Sequence, residues 1–180
     1  MNIRIEIDWL SDPRIKYLPE IINSKHSKGR IHLSNKKITK VKNEKEMSYL
    51  DFKPNGLWYG LNDTWKDFLI KSSKHALWTT ERLLNCKYIY DVVLNKNANI
   101  LKLKSYKDIV KFTIKYGHKL SAGFLIYWDE VQEKYDGIEV KMQKKSDKYT
   151  YWTENWDCDS GCVWNKRAVK KIKLIKKIGN

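Results

Sequence analysis

Alternation of apolar and polar positions predicts a series of short strands along the chain. Residues 1–8 alternate apolar and charged side chains, which is typical of a strand. Segments 30–34 and 57–61 are also expected to be strands, each directly after a glycine. The clearest strand is 86–94, which is rich in β-branched and aromatic residues. Two further strands are expected at 99–103 and 138–142.

Apolar residues at helical spacing predict helices between these strands. Asp63 is a candidate N-cap for a helix that carries Trp65, Phe68 and Leu69 on one side. Ser105 is expected to cap a second helix that runs to about residue 116, and residues 127–134 form a third. Residues 35–52 are rich in Lys, Asn and Glu with no apolar period, which favours a surface loop. Ser160 and Gly161 are expected to form a tight turn.

This mixture of short strands and helices predicts an α+β fold. The 180 residues fit one domain with a sizeable core, and the chain shows no internal repeat, low-complexity linker or composition boundary. We expect a single domain over 1–180. It consists of a polar, basic lead-in (1–29), a core (30–165) and a basic C-terminal segment (166–180).

A net charge of +15 is large for this length. It is consistent with an anionic partner, which is a nucleic acid, an acidic protein or a phosphate-bearing cofactor. Segments 144–148 and 166–177 are the expected contact regions, and Tyr151 and Trp152 either stack on bases or belong to the core. The alternative is that the lysines only form a solvated surface.

The cysteine content and the length of the apolar segments indicate the cellular compartment of the protein. Three cysteines do not make a disulfide framework, and no secretory signal or long apolar window is present. The sequence therefore predicts a reducing cytoplasm and no membrane partner. Cys158 and Cys162 supply only two of the four ligands usual in a structural zinc site, so no metal is expected. Phosphate-loop, dinucleotide-glycine and His-Glu-x-x-His motifs are also missing.

Three of the predicted strands each carry a residue suited to chemistry. They are His32, Tyr59 and Glu139, in that order. Because side chains alternate along a strand, His32 and Ser34 are expected on the same face, where they place an imidazole and a hydroxyl together. Taken singly, each residue has a plainer explanation as an edge histidine, a core tyrosine or a solvated glutamate, so the hypothesis depends on the ordered combination.

That combination resembles the His–Tyr–Glu signature of the ADP-ribosyltransferase superfamily, in the diphtheria-toxin and poly(ADP-ribose) polymerase branch. The first motif there is His, a small residue, then Ser or Thr, whereas this chain has Leu33 in the middle position. The segments Lys-Pro-x-Gly-Leu-Trp, Tyr-Asp-Gly-Ile-Glu and Trp-Asp-Cys-x-Ser-Gly-Cys-x-Trp also resemble an uncharacterised bacterial and viral family. The resemblance covers roughly residues 30–165.

The resemblance implies a split β-sheet cleft, flanked by helices, that holds NAD as a substrate. It implies that Glu139 is the catalytic carboxylate, that His32 and Ser34 contact the ribose, and that Tyr59 stacks on nicotinamide. Trp58 and Arg30 are the remaining expected cofactor-binding residues.

A second branch of the superfamily uses Arg, a Ser-Thr-Ser strand and Glu-x-Glu. Arg30 is a candidate for its first position, but the Ser-Thr-Ser strand is missing and Gly137 stands two residues before Glu139. Since the first Glu of that pair helps to activate arginine acceptors, the acceptor expected here is RNA or DNA, or failing that a host protein.

The biological expectation is a mono-ADP-ribosyltransferase that acts as a toxin, defence or viral effector, with an inhibitory partner and the oligomeric state left open. Two alternatives stay open. One is a non-enzymatic, basic nucleic-acid-binding module, and the other is a degenerate transferase fold.

Overall fold

The computed structural model describes residues 12–24, 28–44, 50–73 and 76–179, so the strand expected at 1–8 lies outside the described residues. These residues form an α+β fold, as the sequence predicts. The helices are α1 (Leu18–Ile22), α2 (Thr64–Ser72), α3 (Leu77–Leu84), α4 (Tyr106–Tyr116) and α5 (Trp128–Lys134). The strands are β1 (Arg30–Ser34), β2 (Leu57–Leu61), β3 (Tyr88–Leu94), β4 (Ile100–Leu103), β5 (Gly117–Lys119), β6 (Phe124–Ile126), β7 (Gly137–Val140), β8 (Ser160–Val163) and β9 (Val169–Lys177).

Seven of these strands form one sheet in the order β4-β7-β8-β2-β1-β3-β9, and β5 and β6 form a small hairpin. All neighbours in the large sheet are antiparallel except β4 and β7. β7 and β1, which are far apart in the sequence, are therefore separated by only two strands. The predicted strands β1, β2, β3, β4 and β7 are confirmed.

The predicted helices α2, α4 and α5 are confirmed as well. The start of α4 is the best defined, because Ser105 and Asp108 form a reciprocal capping box there. The side of α4 that carries Ile109 and Phe112 is buried, as its apolar period requires. Asp63, the expected N-cap of α2, makes no side-chain cap hydrogen bond and instead pairs with Lys66 at 3.3 Å.

One segment differs from the prediction, and another forms a strand where no element was predicted. Ser160 and Gly161 do not form a turn but open β8, which is buried between β7 and β2. In the basic C-terminal segment, for which no strand was predicted, residues 169–177 form β9, the outermost strand beside β3. Lysines suit such a position, since an edge strand lets long charged side chains reach water.

Helices cover one face of the sheet in two groups, and we call this the helix-covered face. α4 and α5 pack with Trp128, Trp152 and Trp156 against β7 and β8, while α1, α2 and α3 pack against β1 and β3. Trp152 is fully buried, with Nε1 donating to Thr113 Oγ1 at 2.8 Å, so it belongs to the core and does not stack on bases. Within the described ranges, no helix combines the length and apolar character needed to cross a bilayer.

Candidate functional site

The register of the sheet places Tyr59, Gly161 and Glu139 side by side on the face opposite the helices. Gly161 of β8 pairs with Tyr59 on one side and with Glu139 on the other. A Cβ at Gly161 would lie 2.6 Å from Cε2 and 2.7 Å from Cζ of Tyr59, so the ring occupies the space that a side chain would take. The tyrosine thereby crosses β8 and donates its hydroxyl to Oε1 of Glu139 at 3.2 Å.

Arg30 is the second group that contacts Glu139. Its Nε donates to the same Oε1 at 2.7 Å, and its guanidinium carbon lies 5.9 Å from the centre of the Tyr59 ring. Burial opposes the charge on Arg30, but the charge of Glu139 and the hydrogen bond outweigh it and raise the pKa of Arg30. Burial, followed by the charge of Glu139, raises the pKa of Tyr59. Arg30 is therefore cationic at neutral pH, and Tyr59 keeps its proton.

Among the described residues, hydrogen bonds reach only one oxygen of Glu139. Both hydrogen bonds reach Oε1, and no described residue donates to Oε2. A tenth of the Glu139 side chain is exposed, compared with 29% for Arg30. The carboxylate is thus held in one orientation by two donors while its second oxygen keeps acceptor capacity.

A polar cavity of about 390 Å³ lies next to this cluster, and we call it the Arg30 cavity. It is lined by Arg30, Lys96 and Lys102, by Asn95 and Asn99, and by Leu94, Ala98 and Ile100. Lys102 is the direct neighbour of Glu139 across β4 and β7. Three cations beside a carboxylate fit a ligand that carries phosphate next to a group that becomes positive.

His32 lies where the pairing of β1 with β2 ends. The described ladder has two pairs, the last being Ile31 with Gly60, and beyond it Nδ1 of His32 bonds the Trp58 carbonyl at 2.6 Å. Because a carbonyl only accepts, Nδ1 carries the proton. Burial lowers the pKa of His32 and Arg82 lowers it further, which outweighs the bond to Trp58. The ring is therefore neutral at pH 7, with Nε2 as an acceptor.

An aromatic groove of about 260 Å³ adjoins His32. Its main lining residues are Trp58 of β2, Trp65 of α2, Arg82 of α3, and Lys53 and Trp156 in loops. Lys53 lies 5.4 Å from the Trp58 ring centre and 3.9 Å from Asp157. The groove also contacts Gly60 and its sheet partner Ile31, whose side chain belongs to the helix-covered face. It is therefore distinct from the Arg30 cavity.

The structure brings together some of the predicted site residues and not others. Tyr59 and Arg30 contact Glu139. No described hydrogen bond or ion pair joins the His32 side chain to any of these three residues. The Ser34 hydroxyl bonds the backbone of Lys36 and not a partner near His32. Tyr59 is only 2% exposed, so its ring offers no free surface on which nicotinamide could stack.

Gly161 is the site residue that sequence reasoning missed. The one signal in the sequence was the presence of a glycine in the Trp- and Cys-rich segment. A glycine inside a strand often marks a point where another group packs closely against the backbone.

The cysteines show no sign of activation. No disulfide joins any of the three, and burial raises the pKa of Cys158 to about 11. A buried, protonated thiol is a poor nucleophile, which disfavours a cysteine hydrolase. In the part of the chain that the structure describes, no three His, Cys, Asp or Glu side chains are grouped to hold a metal ion.

Comparison of the chain with protein-family models, with curated proteins and with solved structures finds no match. The likeness of its motifs to the ADP-ribosyltransferase signature therefore remains a hypothesis, and the function must be argued from the geometry of the site.

Proposed function

We propose that this protein is an NAD-dependent mono-ADP-ribosyltransferase with Glu139 as its catalytic carboxylate. The observation that carries the proposal is the state of this side chain. It is nearly buried, it is fixed through Oε1 by Arg30 and Tyr59, and its Oε2 has no described donor. A structural glutamate that only pairs with Arg30 would need neither the glycine at position 161 nor the tyrosine that crosses it.

The chemistry needs a carboxylate of this kind. In ADP-ribosyl transfer the bond between the anomeric carbon of the ribose and the nicotinamide nitrogen breaks, and nicotinamide leaves with the electron pair. Positive charge develops on the sugar, and a fixed carboxylate stabilises it without having to reorient. An acceptor oxygen or nitrogen then bonds the anomeric carbon and releases its proton.

The Arg30 cavity supports the other requirement, which is a place for the phosphates of the dinucleotide. Arg30, Lys96 and Lys102 line it, and a pyrophosphate is attracted by such a group of cations. Arg30 would then contact both the catalytic carboxylate and the phosphates, since its Nε is bonded to Glu139 and the residue also lines the cavity.

Tyr59 and His32 are positioning residues in this proposal. Tyr59 holds Glu139 through its hydroxyl, and His32 holds the Trp58 carbonyl one residue earlier on β2. Loss of either hydrogen bond would shift the position of the Glu139 carboxylate but would leave its negative charge in place. The Nε2 of His32, which no described residue bonds, can accept a hydrogen bond from a ribose hydroxyl.

The test is incubation of the purified protein with labelled NAD and, separately, RNA, DNA or cell extract. The wild type is expected to transfer label to one of these, or to release nicotinamide, and Glu139→Gln is expected to lose this activity. Glu130→Gln is the matched control, because it removes the same charge from an exposed position on α5.

If wild type and Glu139→Gln are equally inactive with every acceptor, yet both bind nucleic acid tightly, the enzyme proposal fails. The non-enzymatic binding module would then be the better description. Equal turnover by wild type and Glu139→Gln would instead show that another group carries the chemistry.

A further inference from the structure

Two large apolar side chains at the start of α3 are open to solvent. Trp78 is 51% exposed and Leu77 is 50% exposed. Trp78 packs against two aromatic rings of α2, with its centre 6.1 Å from that of Phe68 and 6.5 Å from that of Trp65. Trp65 and Phe68 are themselves stacked at 5.4 Å with 19° between their planes. We call Trp65, Phe68 and Trp78 the aromatic platform.

The platform is continuous with the aromatic groove. Trp65 belongs to both, because it also lines the groove together with Arg82. Arg82 lies four residues after Trp78 on α3, so the two side chains are neighbours on the same side of the helix. Arg82 is exposed, and no described residue forms a hydrogen bond or ion pair that would compete with a ligand for its guanidinium.

An exposed tryptophan beside an exposed arginine is an arrangement that suits one class of ligand. Bases stack on aromatic faces whatever their sequence, and cations follow the phosphate backbone. A duplex does not offer its base faces, whereas a single strand does. The acidic side chains of a protein segment would be attracted by Arg82 but would place no aromatic face on Trp78.

We propose that the aromatic platform and Arg82 form a binding site for single-stranded nucleic acid, with a base stacked on Trp78 and the adjoining phosphate on Arg82. The net charge of +15 adds a long-range attraction that is not specific to this site. The site deepens the proposed function, because it names the acceptor class as single-stranded nucleic acid, and for that step it rests on the proposed function. Binding itself does not depend on the transferase reaction.

The test is fluorescence anisotropy with labelled single-stranded RNA and DNA 12-mers and with a duplex of the same sequence, without NAD. Trp78→Ala is expected to weaken single-strand binding by about 5- to 150-fold, which is the range for loss of one stacked base. The dependence on salt should stay as in the wild type, since no charge is removed. Leu77→Ala is the matched control, with nearly the same exposure but no ring, and is expected to bind as the wild type does.

Arg82→Gln separates the phosphate contact from the stacking contact. It is expected to lower the slope of log affinity against log salt by about 0.7, the value for one phosphate contact on a single strand. Circular dichroism of each variant shows that the fold is intact. Comparison of the RNA and DNA 12-mers then decides between the two acceptors.

Several results would overturn the inference. They are unchanged binding by Trp78→Ala, an equal loss in Leu77→Ala, a preference for the duplex, or equally tight binding of poly-glutamate. Failure here is distinguishable from failure of the proposed function. Loss of transfer in Glu139→Gln with unchanged nucleic-acid binding by Trp78→Ala would retain the enzyme and reject this site. Weaker binding by Trp78→Ala, with no transfer by the wild type to any acceptor, would retain the site and reject the enzyme.

Discussion

Replacing Gly161 by alanine is the sharpest single perturbation of the Glu139 cluster. The new Cβ would lie 2.6 Å from Cε2 and 2.7 Å from Cζ of Tyr59, and 2.8 Å from the Ile138 carbonyl oxygen. Contacts this short require the ring to move. Tyr59 is 2% exposed and packs with Val92, Val163 and Ala168, so it has little room to do so.

The expected cost has two parts. Forcing a methyl group into a well-packed core costs about 1–3 kcal/mol. If the ring withdraws, the hydrogen bond from Tyr59 to the Glu139 carboxylate is also lost, and a bond to a charged group is worth about 1.5–3 kcal/mol. We therefore expect Gly161→Ala to lower the free energy of unfolding by about 3 kcal/mol. Any NAD turnover should fall with it, because Glu139 loses one of its two donors.

A double-mutant cycle with Tyr59→Leu tests the cause by urea unfolding. Leucine removes the ring atoms that clash, so Gly161→Ala should cost less in this background, although the contact with the Ile138 carbonyl remains. A loss below about 0.5 kcal/mol for Gly161→Ala alone, within the range of ordinary surface changes, would refute the reasoning. The same cost in both backgrounds would show that the backbone, and not Tyr59, opposes the methyl group.

Three further outcomes follow from the same structure. Arg30→Met should lower the free energy of unfolding, measured by urea titration, by about 1–3 kcal/mol, because it leaves the nearly buried Glu139 without its cation. An unchanged unfolding midpoint would show that the ion pair contributes nothing to stability. The pKa of His32 is lowered on folding from its usual 6.5, so the unfolded chain binds this proton more readily than the folded chain. The contribution of His32 to the free energy of unfolding should therefore be complete above pH 6.5 and fall as the pH drops below that value. His32→Gln should flatten that part of the profile, and an equal slope in the variant would assign it to another group. Burial raises the pKa of Cys158 from 9.0 to about 11, so its thiol should react with iodoacetamide at pH 8 about 100-fold more slowly in the native protein than in denaturant. Peptide mass spectrometry measures both rates, and equal rates would contradict the burial of Cys158.

The elements with a strong local signal were predicted well from the sequence. β3 is rich in β-branched and aromatic residues, and α4 has both an apolar period and a Ser–Asp capping box. β8 and β9 were missed because their local signals point elsewhere. A Ser-Gly pair is typical of a turn, and a lysine-rich segment is typical of a solvated loop. Both became strands because a neighbouring strand supplied hydrogen-bond partners along their length.

The residues of the candidate site were also predicted only in part. The sequence singled out Glu139, Tyr59 and Arg30 as residues of interest, and these three do meet. It also grouped His32 and Ser34 with them, since strand alternation places them on one face. The structure instead engages His32 with the Trp58 carbonyl and Ser34 with Lys36. Alternation assigns a face but not the rotamer or the hydrogen-bond partner.

The sequence by itself determined the α+β class, five of the strands, three of the helices, the strongly basic character and the residues able to carry chemistry. Local backbone preferences and side-chain periodicity are short-range properties, and they can be read from neighbouring residues. Tertiary structure alone decided that Gly161 makes room for Tyr59 to reach Glu139, that Trp152 is core, and that Trp78 is exposed beside Arg82. These facts depend on the order and register of strands and on the packing of helices, which join residues far apart in the sequence, such as Arg30 and Glu139 at a separation of 109 positions.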